Sequence, residues 1–215
     1  MNINQAFLFD LDGVILDTES QYDVFWKKTA EKYQLGIENF EQLIKGTTLP
    51  NIIAKYFSHL PEEQQKEVET TNRAFDVQLK MYTIPGALEF LAKLKKSGAK
   101  MGLVTSSSDE KLEYVFRELP IKQYFDTVVS ADRITRGKPD PMCYLLAAKD
   151  LDVLPENCYV FEDSFNGIQS GKAAGMKVIG LATTNPAESI QADCIQVIPD
   201  FQDPDILLTI TTFAV

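Results

Sequence analysis

The sequence predicts an α/β fold, in which a parallel sheet carries helices on both faces and an all-helical segment is inserted after the first strand. The apolar run at residues 6–11 predicts a first strand that is buried on both sides. Residues 17–81 show no strand pattern and are rich in residues with helix-spaced apolar side chains. From Pro85 onward, helix and strand patterns alternate, which is typical of βαβ units.

Proline and capping residues mark the beginnings of several helices. Pro50 and Pro61 are suited to the first turns of helices within the insertion. Asp140 and Pro141 open a helix in the second part of the chain. The elements predicted after the insertion are a helix at 86–96, a strand at 100–104, a helix at 109–118, a strand at 127–130, a helix at 141–149, a strand at 158–161, a helix at 165–174 and a strand at 176–181.

The charge and the cysteines of the chain limit its partners. The formal net charge is −10, which argues against nucleic acid and against anionic membrane surfaces as partners. A phosphorylated substrate must then be attracted by local positive charge or by a metal ion. Cys143, Cys158 and Cys194 match no metal or redox motif, so we expect free thiols and a cytoplasmic location. We also expect a monomer or a weak homo-oligomer.

Residues with reactive side chains follow the predicted strands. Because the carboxyl ends of parallel strands meet at one edge of a sheet, we expect these residues to lie close together. Carboxylates without histidine or cysteine suit Mg²⁺, a lysine can hold a phosphate, and an aspartate can accept a phosphoryl group. The residues are Asp10 and Asp12 at the end of the first strand, Thr105 and Ser106 after the second, Lys138 in a loop before a helix, and Glu162 and Asp163 after the fourth.

Each motif also has a purely structural interpretation. Asp10 and Asp12 could form an Asx-turn or a calcium loop, but Gly13 follows at the fourth position, whereas a calcium loop needs glycine at the sixth. The hydroxyl residues from Thr105 to Ser108 could simply cap the next helix. The joint occurrence of all the motifs at strand ends favours a functional site.

Together these motifs resemble those of the haloacid dehalogenase superfamily, in its β-phosphoglucomutase-like and phosphatase branch. They occur in the order of that family as Asp10-Leu11-Asp12-Gly13, Thr105, Gly137-Lys138-Pro139 and Glu162-Asp163-Ser164. The resemblance implies a Rossmann-like catalytic core formed by residues 1–16 and 82–215. It also implies that residues 17–81 form a helical cap domain, which closes over the substrate.

The resemblance implies a role for each candidate residue. Asp10 would be the nucleophile that becomes an aspartyl phosphate, and Asp12 would be the general acid and base. Thr105, Ser106 and Lys138 would bind the transferred phosphoryl group. The ligands of Mg²⁺ would be Asp10, Asp12, Glu162 and Asp163.

Two activities compete within this branch. A phosphatase would hydrolyse a small phosphorylated metabolite such as a sugar phosphate, whereas a β-phosphoglucomutase must hold two phosphates at once. Leu49 replaces the arginine that holds the second phosphate in the mutase, which favours a phosphatase. Lys45, Arg73 or Lys80 could still bind a second phosphate, and a non-catalytic binding protein of the same fold is a third alternative. The cap residues expected to select the substrate are Tyr22, which replaces a histidine of the mutase, Lys45, Gly46, Thr47 and Thr48.

Overall fold

The central strand of the sheet is apolar throughout. In the computed structural model, which describes residues 5–203 and 205–206, β1 spans Ala6–Phe9 and all its residues are buried. Its two phenylalanines belong to one hydrophobic cluster, and its alanine and leucine belong to another. Because successive side chains of a strand point to opposite faces, the sheet has a core on each side.

Five further strands pair with β1 in a parallel sheet. They are β2 (Lys100–Val104), β3 (Thr127–Val129), β4 (Cys158–Glu162), β5 (Lys177–Leu181) and β6 (Gln196–Ile198). Within the described residues the strand order is β3-β2-β1-β4-β5-β6. The order reverses between β1 and β4, and such a reversal opens a crevice at the carboxyl ends of the strands, where ligands bind in sheets of this kind.

A helical insertion at residues 17–81 lies between β1 and β2. The structure describes all of these residues, and none of them forms a strand. Its helices are α1 (Glu19–Lys32), α2 (Phe40–Leu43), α3 (Leu49–Ile52), which continues as a π-helical turn at Ile53–Phe57, and α4 (Glu62–Asp76). The insertion has its own hydrophobic cluster, in which Phe40 packs edge to face against Trp26 and Phe57.

The remaining helices cover both faces of the sheet. They are α5 (Ala87–Lys96), α6 (Asp109–Glu118), α7 (Met142–Asp150), α8 (Phe165–Ala173) and α9 (Ala187–Ile190). Residues of α5 and α6 pack with the phenylalanines of β1. Residues of α7, α8 and α9 pack in the opposite cluster. The predicted α/β fold with a two-sided parallel sheet is therefore confirmed.

The turn after β1 departs from the sequence prediction. The strand ends at Phe9 rather than at residue 11, because the chain turns at Leu11, whose carbonyl accepts hydrogen bonds from the amides of Ile15 and Leu16. Gly13 in this turn has a φ of +75°, a conformation that glycine adopts without strain. The turn brings the residues after β1 over the end of the sheet.

The end of the chain also differs from the prediction. The strand β6 and the helix α9 were not predicted, because three or four residues are too few to show a hydrophobic period. The predicted core ranges include residues 1–4, 204 and 207–215, which lie outside the described residues. Among the described helices, none has the length and apolar character that a membrane crossing requires.

Candidate active site

Asp10 lies directly after β1, at the point where the strand order reverses. It is only 5% exposed, and burial raises the pKa of its carboxyl group to about 8, although the neighbouring Lys138 lowers it. Asp10 Oδ1 lies 3.1 Å from Lys138 Nζ, but it accepts no hydrogen bond from any described residue. A buried carboxylate oxygen without a donor is available to bind a cation.

Lys138 provides a buried positive charge beside Asp10. Its Nζ donates to Glu162 Oε1 at 2.6 Å and to the carbonyl of Val104 at 3.3 Å. Burial alone would lower the pKa of Lys138, but the carboxylates of Asp10 and Glu162 raise it above its ordinary value. The lysine is therefore fixed in its charged form where the loop after β3 meets the ends of β1 and β4.

Glu162, the last residue of β4, is held on both of its oxygen atoms by described residues. Oε1 accepts hydrogen bonds from Lys138 and from the hydroxyl of Tyr144 at 2.9 Å. Oε2 accepts from the backbone amides of Asp163 and Ser164 and from the Ser164 hydroxyl. This arrangement makes Glu162 the counter-ion of Lys138. A direct bond to a metal ion would displace one of these donors, whereas a bridging water would not.

Two glycines make room for the carboxylates. A Cβ atom at Gly167 in α8 would lie 1.8 Å from Glu162 Oε1. A Cβ atom at Gly13 would lie 2.0 Å from Asp163 Oδ2. No larger residue fits at either position unless the acidic side chain moves.

Asp163 completes an acidic cluster with Asp10 and Glu162, in which one oxygen of each residue lies within 4.8 Å of the others. Its Oδ2 accepts a hydrogen bond from Thr184 Oγ1. Burial raises the pKa of Asp163 well above its ordinary value, and the nearby charge of Glu19 raises it further. Three buried carboxylates need more positive charge than one lysine supplies.

A divalent cation fits this cluster. The candidate ligands are hard carboxylate oxygens, which Mg²⁺ and similar ions prefer over nitrogen or sulfur. Asp10 Oδ1 contributes a buried oxygen that lacks a donor among the described residues. The residues present can therefore hold a metal ion of this class.

Asp12 lies in the turn after β1 and is held by residues from two other segments. Its Oδ1 accepts a hydrogen bond from Thr18 Oγ1 at 2.5 Å. Its Oδ2 accepts from Ser107 Oγ at 3.0 Å and from Lys111 Nζ at 2.5 Å. Burial would raise the pKa of Asp12, but Lys111, with the hydrogen bonds from Thr18 and Ser107, lowers it below its ordinary value. These contacts therefore stabilise Asp12 in its ionised form.

Lys111 is a site residue that the sequence analysis did not identify. It is 2% exposed, and its Nζ also lies 4.8 Å from the centre of the Tyr22 ring. The one available signal was its position beside Leu112 and Val115 on the buried face of α6. A lysine on an apolar helix face is unusual unless it has a partner.

Thr105 and Ser106 directly follow the strand β2 and line the same cavity as Asp10. Thr105 is buried, and its Oγ1 accepts a hydrogen bond from the amide of Ser107 at 3.1 Å. Ser106 Oγ donates to the carbonyl of Gly46 at 2.6 Å, so this hydroxyl joins the core to the helical insertion. The N-cap of α6 is Ser108, whose hydroxyl accepts a hydrogen bond from the amide of Lys111.

The cavity of about 110 Å³ above the sheet edge is lined by both parts of the chain. Of the predicted specificity residues, four line it, namely Tyr22, Lys45, Gly46 and Thr47. Thr48 does not line it. It is buried beside Gly137 in the loop that carries Lys138. Asn166 Nδ2 donates to the carbonyl of Lys45 and to Thr47 Oγ1, which fixes this part of the insertion against α8.

The three candidates for binding a second phosphate are placed differently. Lys45 lines the cavity, but its Nζ lies 2.5 Å from Glu19 Oε2 and 2.7 Å from Asp23 Oδ1. Arg73 pairs with Glu69 and Glu110 and is not among the lining residues. Lys80 is exposed and does not line the cavity either.

Comparison with known proteins agrees with the fold. The family model of haloacid dehalogenase-like hydrolases matches residues 7–181. The chain is 36% identical over 182 residues to the phosphorylated carbohydrates phosphatase of Thermotoga maritima. This match covers 81% of this chain and 83% of that protein. It is 30% identical over 194 residues to the β-phosphoglucomutase of Bacillus subtilis, with 85% of each chain covered.

Solved structures show the same relationship. The crystal structure of β-phosphoglucomutase from Clostridium difficile matches with a TM-score of 0.80 at 25% sequence identity, and the match covers 98% of this chain and 97% of that chain. The resemblance inferred from the four motifs is therefore confirmed, and this chain belongs to the haloacid dehalogenase-like hydrolase family.

Proposed function

We propose that the protein is an Mg²⁺-dependent phosphatase, which hydrolyses a small phosphorylated carbohydrate through an aspartyl phosphate on Asp10. The observation that carries this proposal is the state of Asp10 Oδ1, which is buried, has no hydrogen-bond donor among the described residues and lies 3.1 Å from Lys138 Nζ. The relative from Thermotoga maritima is named as a phosphatase of phosphorylated carbohydrates, which supports the substrate class.

In the first half-reaction, Asp10 attacks the phosphorus atom. A bond forms between the carboxylate oxygen and phosphorus, and the bond from phosphorus to the ester oxygen breaks. Lys138 and Thr105 bind the non-bridging oxygens and offset their charge. Asp12 donates a proton to the departing oxygen, which leaves as an alcohol. Asp12 is then ionised, and its ion pair with Lys111 stabilises that form.

In the second half-reaction, Asp12 acts as the base. It removes a proton from a water molecule while the water oxygen attacks phosphorus, and the bond between phosphorus and Asp10 breaks. Inorganic phosphate leaves, and Asp12 carries the proton for the next turnover. Mg²⁺ would be held by Asp10, Asp163 and the backbone carbonyl of Asp12, with Glu162 through water, and it would offset the negative charge of phosphate and carboxylates.

We also propose that residues 17–81 act as a cap over this site. The contacts that support this role join the two parts of the chain directly, from Ser106 to Gly46 and from Asn166 to Lys45 and Thr47. A cap in this position excludes bulk water and strengthens the electrostatic interactions of the phosphoryl group. It also places the residues that contact the leaving group on the insertion.

A mutase activity is the second candidate, because the β-phosphoglucomutase of Bacillus subtilis is also a relative. A mutase must bind a second phosphate while the first reacts. Lys45 is already paired with two carboxylates, and Leu49 stands where the mutase has its arginine. These observations favour hydrolysis.

A screen of phosphorylated metabolites in the presence of Mg²⁺ tests the proposal. We expect release of inorganic phosphate from one or more sugar or polyol monophosphates, and no release by the Asp10→Asn protein. Conversion of β-glucose 1-phosphate to the 6-phosphate with a bisphosphate primer would instead establish the mutase. The absence of turnover of every ester would favour a binding protein.

The expectations about partners and location stay predictions. They are a small phosphorylated metabolite as the partner, no binding of nucleic acid or membranes, a cytoplasmic location, and a monomer or weak homo-oligomer. Size-exclusion chromatography with light scattering measures the oligomeric state directly.

A further inference from the structure

One wall of the cavity is polar and is not used by the proposed chemistry. Asn72 and Asp76 lie four residues apart on α4, so they share one face of that helix, and both line the cavity. Tyr22 of α1 lines the same cavity, and its hydroxyl donates to Asp76 Oδ1 at 2.7 Å. We call these three residues the polar wall.

The side chain of Asn72 indicates that the polar wall receives a ligand. Asn72 is 5% exposed, yet its amide forms no hydrogen bond with any described residue. The amide carries two donors and an acceptor, and because Asn72 lines the cavity these groups are open to an occupant. An occupant of the cavity with hydroxyl groups could both accept and donate hydrogen bonds here.

Asp76 gives the polar wall a negative charge. It is 8% exposed, and in residues 5–203 and 205–206 no lysine or arginine lies within ion-pair distance of its carboxylate. The hydrogen bond from Tyr22 engages Oδ1. A carboxylate in this position accepts hydrogen bonds from hydroxyl groups and repels a second anion.

Burial raises the pKa of Asp76 and the charge of Lys111 lowers it, but neither lysine that lines the cavity forms an ion pair with this carboxylate. Lys45 is paired with Glu19 and Asp23, and Lys111 is paired with Asp12. Within the described residues, the cavity therefore offers no unpaired cation to an anionic group on the leaving side of the substrate.

We propose that the polar wall determines specificity for the leaving group, by selecting a neutral polyhydroxylated group and rejecting one that bears a second anionic group. Asp76 accepts hydrogen bonds from hydroxyls, and the Asn72 amide both donates and accepts them. This inference rests on the proposed phosphatase function and deepens it. It names the residues that contact the part of the substrate beyond the transferred phosphate.

A matched pair of substrates tests the inference. Sorbitol 6-phosphate and 6-phosphogluconate share one carbon skeleton, but the latter has a carboxylate where the former has a hydroxymethyl group. We expect the wild-type protein to prefer sorbitol 6-phosphate in kcat/KM by about a hundredfold, because like charges are repelled in a closed site. In Asp76→Asn this preference falls at least about tenfold, since the charge is removed at constant shape.

Two further variants complete the test. Glu63→Gln neutralises an exposed carboxylate on the same helix and should keep the wild-type preference. Asn72→Leu should lower kcat/KM for sorbitol 6-phosphate by about tenfold, because its partner for the hydroxyls is lost. Thermal unfolding of each variant verifies that it is folded. An unchanged preference in folded Asp76→Asn overturns the inference.

A binding measurement separates this inference from the proposed function. If the wild-type protein hydrolyses neither ester, calorimetry with Mg²⁺ and the Asp10→Asn protein decides the inference, whereas the phosphatase proposal fails only if no ester in the metabolite screen is hydrolysed. The inference is supported if the Asp10→Asn protein binds sorbitol 6-phosphate more tightly than 6-phosphogluconate. This difference should disappear in the double variant that also carries Asp76→Asn. Equal binding of both esters contradicts it.

Discussion

Lys111 Nζ lies 2.5 Å from Asp12 Oδ2, so the helix α6 supplies the positive charge that holds the proposed general acid and base. The same ammonium lies 4.8 Å from the centre of the Tyr22 ring in the helical insertion. Lys111 therefore joins three parts of the molecule, namely the turn after β1, the helix α6 and the wall of the cavity. Its position links the proposed general acid and base to the wall that we propose contacts the leaving group.

Replacing Lys111 by methionine should impair turnover while retaining most of the buried volume. Asp12 would keep its hydrogen bonds from Thr18 and Ser107 but lose its only ion pair within the described residues. We expect kcat/KM to fall at least about tenfold, in the range typical of a lost contribution to acid–base catalysis. Steady-state kinetics measures this, with the exposed Lys27→Met as the control. Equal activity of both variants would contradict a role for Lys111.

Gly167→Ala should disrupt the site through the backbone of α8. The added methyl group would overlap the carboxylate of Glu162, which is fixed by its own hydrogen bonds. We expect the free energy of unfolding to fall by about 2 kcal/mol or more, as for other overpacked positions, with loss of phosphatase activity. Denaturant titration checks the first effect. The exposed Gln169→Ala on the same helix is the matched control, and wild-type stability of Gly167→Ala would count against the packing described.

Lys138→Met should leave the buried carboxylate of Glu162 without its counter-charge. Asp10 and Glu162 both contact the Lys138 ammonium, at 3.1 and 2.6 Å. Removing one partner of a buried ion pair costs about 3–5 kcal/mol, so we expect a loss of stability of this size in chelator-treated protein. Adding Glu162→Gln should recover part of the stability but none of the activity. If Lys138→Met alone were as stable as the wild type, the buried ion pairs described for Lys138 would be contradicted.

Metal removal and pH should both change the stability of the protein through the carboxyl group of Asp10. Burial raises the pKa of Asp10 to about 8 from an ordinary value of 3.8. Without metal, the folded protein then keeps a proton that the unfolded chain releases, so its stability should fall as the pH rises from about 4 towards 8. Asp10→Asn should flatten part of this slope, and the rest should stay because burial also raises the pKa of Asp163. At pH 8, Mg²⁺ should raise the Tm of the wild type but not of Asp10→Asn. Melting curves with and without Mg²⁺ measure both effects, and a pH-independent wild-type Tm would refute them.

The sequence predicted those parts of the site that depend on strand ends. Asp10 and Glu162 follow apolar runs long enough to show a buried strand, and the parallel order then brings them together. Lys111 and Asn72 could not be found in this way, because each stands within a helix and gains its role only from the packing of that helix against the cavity. Local patterns specify which helix face is buried, but not which residues of another segment it meets.

The ion pairs within the insertion also could not be predicted from local sequence patterns. Lys45 was a reasonable candidate for a second phosphate because of its place in the sequence. Its pairing with Glu19 and Asp23 depends on how α1 packs against the segment before α3. Charges separated by more than twenty residues carry no local signal of such a pair.

The most direct test of the central claim is detection of a phosphoryl group on Asp10. The protein is mixed with a turned-over phosphate ester and Mg²⁺, quenched in acid within one turnover, digested and mapped by mass spectrometry. The account predicts a phosphorylated peptide containing Asp10 in the wild type, and none in Asp10→Asn. Full turnover without a phosphorylated peptide, or hydrolysis by Asp10→Asn at the wild-type rate, would contradict it.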